Sequence, residues 1–261
     1  AELAEKFRGC VGENDRKIWL GLDAASQAVT DARISREKLE MAVLFVGVSL
    51  EAFFLEAVAP AAHAQDLGGA LARRVLSDTN RRPLQTPLDQ LTRILGDNFG
   101  LRGGRWTNGS ACAAGAQAIG EAFHRLRADT AEVALAGATD STLNPLGLGG
   151  FSLLHILSTE NDRPAKACRP FDATRQGTVL SEGATFVVME TSEHARQRGA
   201  RVYAEVLGYA SSLDAFRVTD PEPNGRGAAL SMTRAITDAR RQPADIDCVN
   251  AHGTGTPKND A

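Results

Sequence analysis

The sequence predicts an α/β protein whose sheet is covered on both faces, on three observations. Helical and extended patterns alternate along most of the chain. Two of the extended stretches, Met41 to Val48 and Glu132 to Ala138, are almost unbroken apolar runs, as strands buried on both faces require. The composition, 43% hydrophobic and 23% charged over 261 residues, supports a sizeable core and excludes disorder as the dominant state.

Each element follows from its own pattern. Between Asn14 and Arg33, the residues Ile18, Leu22, Ala25 and Val29 recur at spacings of four, three and four, one face of a helix. The run at 41–48 is the first strand. Gln65 to Ser77 and Pro87 to Phe99 read as helices, with Pro87 suited to a first turn. Trp106 to Ser110 reads as short and turn-prone, and a helix of small residues follows from about Ala113 to Ala128. Glu132 to Ala138 is a second buried strand. Thr178 to Met189 holds two short β-like runs around Ser181-Glu-Gly183, which predicts a hairpin or a bulged strand. Thr191 to Arg198 is a short helix, Val202 to Ser211 alternates as a strand, and Gly225 to Arg241 is a helix. Asp247 to Asn250 is a last short strand, ending near His252. The polar stretch Thr191 to Gly199 is the best boundary between two units, 1–190 and 191–261.

Composition also bounds function. Lys plus Arg is 29 and Asp plus Glu is 32, so the net charge is −3, and nothing suggests a bulk nucleic-acid binder. No window approaches the roughly 20 apolar residues that span a bilayer. The first ten residues, AELAEKFRGC, lack the apolar core of a signal peptide, so a cytoplasmic protein with reduced thiols is expected. The cysteines, Cys10, Cys112, Cys168 and Cys248, are scattered without a CxxC pair, so no metal centre is expected.

Two residues could carry chemistry. Cys112, in Thr107-Asn-Gly-Ser-Ala-Cys-Ala-Ala-Gly-Ala116, stands at the entrance to a helix, where the positive end of the dipole favours thiolate. The first-turn N–H groups there could bind an oxyanion formed at the sulfur. The plainer alternative is a buried, inert small hydrophobe. His252, in Ala251-His-Gly-Thr-Gly-Thr-Pro257, follows a strand end, the position from which α/β sheets present ligand-binding groups. It could equally be a turn residue that caps the strand. A nucleophile and its partner need only meet in space, so the 140 residues between them are no obstacle. Cys10, Cys168 and Cys248 read as core or surface thiols. His124 and His194 read as solvated helix residues, His155 as part of a helix, and neither these nor His63 matches a catalytic position.

Taken in order, these motifs resemble the β-ketoacyl synthases of fatty-acid and polyketide assembly. The colinear stretches include RKIWLGLDAASQAV, SACAAGAQAIGEA, EVALAGATDSTLNPLGLGGF, LSTEND, RPFDATRQGTVLSEGA, VYAEVLGYASSLDA, NGRGAAL and VNAHGTGTP. The resemblance implies a thiolase-like, layered αβαβα fold of two similar halves, incomplete within these residues. By the same resemblance, Cys112 accepts an acyl chain as a thioester. His252 is the first of two histidines that assist malonyl decarboxylation and stabilise the enolate. Thr254 and Thr256 contact a phosphopantetheine arm, and Phe151 walls the acyl pocket. The family's later groups, among them a second histidine and a Gly-Phe-Gly oxyanion segment, have no counterpart after His252. A truncated or split ketosynthase-like subunit, acting as a non-catalytic or half-site scaffold, is therefore the alternative expectation.

The resemblance further implies an acyl carrier protein as partner, with the phosphopantetheine arm carried there and no cofactor on the chain itself. A dimer is implied, with a second copy or with a second ketosynthase-like subunit. Arg16 and Lys17, and Arg81 and Arg82, fall near the stretches where the family places basic docking residues. Solvated surface charge is the plainer reading of both pairs.

Overall fold

The computed structural model describes residue 5 and residues 15–49, 58–77, 87–217 and 220–260. Cys10, Arg81 and Arg82 lie outside the described residues.

The first helix, α1 (Arg16–Ala32), starts where the Asp15 carboxylate accepts the Lys17 N–H at 3.0 Å, and stops where Arg33 turns left-handed at φ 49°. Of its predicted apolar face, Ile18, Leu22 and Ala25 are fully buried, while Val29 is half-buried and packs against the edge of the core. A short helix, α2 (Arg36–Glu40), leads into β1 (Val43–Gly47), every residue of which is buried. Then follow α3 (Leu67–Ser77), α4 (Gln90–Asn98), β2 (Arg105–Asn108), α5 (Ala114–Arg127) and β3 (Val133–Ser141). The chain continues through α6 (Pro145–Leu153), β4 (Glu182–Glu190), α7 (Ser192–Gln197) and α8 (Arg226–Asp238).

The four strands form one sheet in the order β2-β1-β3-β4. β1 lies parallel to both β2 and β3, and β4 runs antiparallel to β3 with Val133 opposite Glu190 and Ser141 opposite Glu182. Alternation along β1 and β3 divides the core. Leu44, Val46, Val133 and Leu135 pack with α1 and α4 on one face, against Ile18, Leu22, Leu91 and Leu95. Val43, Phe45, Ala134 and Ala136 pack with α5 on the other, against Ala118, Ala122 and Leu126. Burial of each large side chain in these layers stabilises the fold by about 1.5–3 kcal/mol.

Small residues set how closely α5 approaches the sheet. A Cβ on Gly47 would stand 2.5 Å from the Ala114 carbonyl carbon, closer than such atoms pack. The helix therefore begins directly against the end of β1.

Four expectations are corrected. Trp106 to Ser110 is not simply a turn, since Arg105–Asn108 pairs with β1 as an edge strand before the chain turns. Phe45 stacks on Trp106 with ring centroids 4.6 Å apart, and this contact holds the edge strand in register. Thr178 to Met189 is neither a hairpin nor a bulged strand, since β4 pairs with β3 one residue to one from Glu182 to Glu190. One strand begins at Glu182, while Thr178 makes only an isolated bridge to Leu157. Val202 to Ser211 and Asp247 to Asn250 form no strand among the described residues. Around Gly208 the backbone packs instead on the end of α8, and the Tyr209 N–H donates to the Asp238 carboxylate at 3.0 Å. Alternating apolar residues make a strand only where a neighbour offers a ladder.

The stretch 191–199 is ordered. Thr191 caps α7, and Arg198 donates to Glu190 and, at 2.8 Å, to the Ala32 carbonyl at the end of α1.

Candidate active site

The parallel strands β1, β2 and β3 all end on one side of the sheet, the side from which such sheets present ligand-binding groups. From the end of β2 the chain passes through Gly109 and Ser110 into a single 3-10 turn, Ala111–Ala113, and then into α5. Cys112 sits at the centre of that turn and is exposed rather than buried. Ala111, just before it, adopts φ 53°, a left-handed conformation that costs an L-residue about 1–2 kcal/mol.

Side-chain hydrogen bonds brace this turn. The Ser110 N–H donates to Asn108 Oδ1 at 2.9 Å, and Asn108 Nδ2 donates to Gln117 Oε1 at 2.8 Å. Ser110 Oγ lies 2.5 Å from Asn108 Oδ1 and 2.8 Å from Gln117 Oε1. The Asn108 carbonyl also accepts the Val48 N–H at 2.9 Å, which ties the start of the turn to β1.

His252 lies in an exposed loop, and the loop is held from behind. Gly253 (φ 53°) and Gly255 (φ 75°) take left-handed conformations suited to glycine. A Cβ on Gly255 would stand 2.7 Å from the Gly177 carbonyl oxygen, and the Gly177 N–H donates to the Gly255 carbonyl at 3.0 Å. Thr254 and Thr256 share a hydrogen bond of 2.9 Å between their hydroxyls.

Two side chains that the sequence reading did not single out complete the support. The buried Asp260 carboxylate accepts the N–H groups of both Phe171 and Gly255 at 3.0 Å. Burial alone would raise its pKa. The Asn259 amide, those two N–H groups and the Arg175 charge together hold it below the ordinary carboxylate range. Arg175 donates to the carbonyls of Thr256 at 3.3 Å and Pro257 at 3.1 Å. Asp260 and Arg175 were hidden because they tie the 171–175 segment to the His252 loop across 81 to 89 residues of chain. The segment RPFDATRQGT was the only available signal, and it gave no pairing.

The other expected residues are placed separately. Phe151 is half-buried on α6, a helix that leaves Leu146, Leu148 and Leu153 exposed. Arg16 is paired with Glu182, donating from Nε to Oε2 at 2.8 Å. The Arg16 hydrogen bond, joined by one from Ser141, keeps the Glu182 carboxyl below its ordinary pKa against the effect of burial. Lys17 corrects an expectation. It is only 2% exposed, with its ammonium 3.2 Å from Asp15, and it cannot meet a protein partner as a docking cation. Cys112 and His252 stand on different segments, and no hydrogen bond joins them. Cys168 and Cys248 are exposed thiols. Among the described residues, no three His, Cys, Asp or Glu side chains gather as a metal site, and no helix is long and apolar enough to cross a membrane.

Comparison with known proteins gives these residues a setting. Residues 11–195 match the model of the beta-ketoacyl synthase N-terminal domain, and residues 203–261 that of its C-terminal domain. A Rhizobium meliloti 3-oxoacyl-[acyl-carrier-protein] synthase 2 is 48% identical over 157 residues, 60% of this chain and 37% of the relative. The mitochondrial 3-oxoacyl-[acyl-carrier-protein] synthase of Arabidopsis thaliana is 44% identical over 164 residues, 62% of this chain and 36% of the relative. A putative polyketide beta-ketoacyl synthase 1 of Streptomyces cyaneus is 43% identical over 170 residues, 65% of this chain and 40% of the relative. The chain thus spans well under half the length of the curated relatives it matches. Among solved structures, a beta-ketoacyl synthase from Burkholderia phymatum superposes with a TM-score of 0.77 at 30% identity, covering 94% of this chain and 58% of that one. A type II polyketide ketosynthase in complex with its acyl-carrier protein superposes with a TM-score of 0.75 at 28% identity, covering 95% and 61%. The layered, thiolase-like fold is therefore that of the ketosynthases.

Proposed function

Because the chain belongs to the beta-ketoacyl synthase family, we propose that its residues serve decarboxylative condensation of an acyl group with a malonyl thioester, both delivered on a carrier protein. The observation that carries this reading is the placement of Cys112: exposed, in a strained turn, at the start of α5 and beyond the carboxyl ends of the parallel strands.

In this reading the Cys112 thiolate attacks the carbonyl of the acyl thioester. The carrier's thiol leaves, takes up the proton lost from Cys112, and the acyl group remains on the sulfur. The N–H groups at the start of a helix suit the oxyanion of the tetrahedral intermediate. The malonyl thioester then loses carbon dioxide, and its enolate carbon attacks the Cys112-bound carbonyl. The thiolate departs, and the new carbon–carbon bond gives a 3-oxoacyl thioester. His252 donates a hydrogen bond to the enolate oxygen. Thr254 and Thr256 hold the phosphopantetheine arm by their hydroxyls, and Phe151 lines the acyl pocket. No cofactor on the chain is needed, since the phosphopantetheine arm arrives with the carrier. Arg81 and Arg82 supply positive charge toward an acidic carrier, Arg16 contributes there only beside its Glu182 partner, and the working form is a dimer with a second ketosynthase-like subunit, identical or related.

The test is to incubate the protein with acyl- and malonyl-carrier thioesters and to measure product and gas together. One carbon dioxide per 3-oxoacyl thioester is expected, with loss of product in both Cys112→Ala and His252→Ala. Undiminished product in Cys112→Ala, or condensation without carbon dioxide, would contradict the reading.

A further inference from the structure

The brace around the Cys112 turn does more than close a loop. It joins the last residue of β2, the start of the turn and the first turn of α5 through one hydroxyl. Only one proton is available on Ser110 Oγ, and two carbonyl oxygens compete for it. Asn108 Nδ2 ties those two amides together, so all three side chains hold one another in a fixed order. Ala111 follows Ser110 directly and holds a left-handed φ of 53°, a conformation costly for alanine that persists where its surroundings fix it. The direction of the Cys112 side chain depends on that residue, its immediate neighbour.

We propose that Asn108 and Gln117 are positioning residues for Cys112, acting through Ser110 to hold the strained turn in the geometry that acyl transfer requires. This rests on the reading of Cys112 as the acylated residue. Neither side chain touches the sulfur by hydrogen bond, so neither is a catalytic residue. Their effect belongs to orientation, where a misplacement of about 1 Å can cost 100-fold in rate.

The experiment measures transfer from a short acyl N-acetylcysteamine thioester to the protein, with the modified residue identified by peptide mass mapping. A small free thioester excludes any effect on carrier docking. In wild type, the acyl group is expected on Cys112. Asn108→Ala and Gln117→Ala are expected to lower the saturating rate of acylation by about tenfold or more, with little change in the thioester concentration at half-saturation. Gln117→Glu, which keeps an oxygen facing both Ser110 and Asn108, is expected to retain native acylation geometry. Where an alanine variant loses its native circular dichroism, Ser110→Ala, which removes only the hydroxyl, stands in with the same expected loss. Rates within twofold of wild type in the folded variants would overturn this proposal alone. No acylation of Cys112 in wild type would overturn the reading of Cys112 as well.

Discussion

A buried ammonium is costly unless it is matched, and Lys17 shows how the chain manages one. Its charge lies 3.2 Å from Asp15, and its backbone carbonyl accepts the Thr139 hydroxyl at 2.8 Å, tying α1 to β3. Removing one member of such a pair leaves the other charge buried. Lys17→Met is therefore expected to destabilise the protein by about 3–5 kcal/mol in urea denaturation. Adding Asp15→Asn, which keeps a helix-capping oxygen, is expected to recover much of that loss. Asp140, at the end of β3, is the opposite case. Burial pushes its carboxyl above the ordinary range, more than the Ser141 N–H and the Lys17 charge draw it down, and Asp15 adds to the rise. A carboxyl raised in the fold favours the folded state when protonated, so its contribution is full below its unfolded pKa and is lost as pH rises through the folded value. Asp140→Asn is accordingly expected to be more stable than wild type at neutral pH, with the gap closing in acid. A constant gap across that range, in denaturation at several pH values, would mean that Asp140 ionises without penalty. None of this was legible in the sequence, where Lys17 read as one of a pair of surface cations. Its position one residue before the apolar Ile18 on α1 was the only sign of burial.

At the scale of the element, the two almost unbroken apolar runs and the four-three-four spacing of α1 were sufficient to place β1, α1 and the buried part of β3, because burial decides those patterns, while β3 continues past Ala138 to Ser141. What escaped depends on partners. β2 is an edge strand with exposed and half-buried residues, so its sequence carries no apolar run. Val202 to Ser211 has the alternation of a strand but meets a helix end rather than a ladder. The junction of β1 with α5 is the element contact on which the candidate site depends most. Gly47→Ala is expected to push the start of α5 from the sheet, at about 1–3 kcal/mol for such overpacking. The same variant is expected to slow acylation of Cys112, since the turn is carried by the displaced helix. Unchanged stability and rate together would mean that the helix start can yield without moving the turn.

For the molecule as a whole, a sheet covered by α1 and α4 on one face and by α5 on the other presents Cys112 beyond the carboxyl ends of its parallel strands. The candidate site was partly legible because its chemistry is local. A thiol at a helix entrance and a histidine among glycines are visible in short windows of sequence. The groups that hold them, Gln117 for the one and Asp260 and Arg175 for the other, are ordinary polar residues until the fold brings them into contact. The account stands on Cys112 as the residue that receives the acyl group. The most direct test is to incubate the native protein with an acyl-carrier thioester, quench in acid, digest, and locate the added acyl mass on the four cysteine-containing peptides. The account predicts one acyl group per chain, on Cys112, with Cys10, Cys168 and Cys248 unmodified. An acyl group found equally on the exposed Cys168 or Cys248, or retained in full by Cys112→Ala, would contradict it.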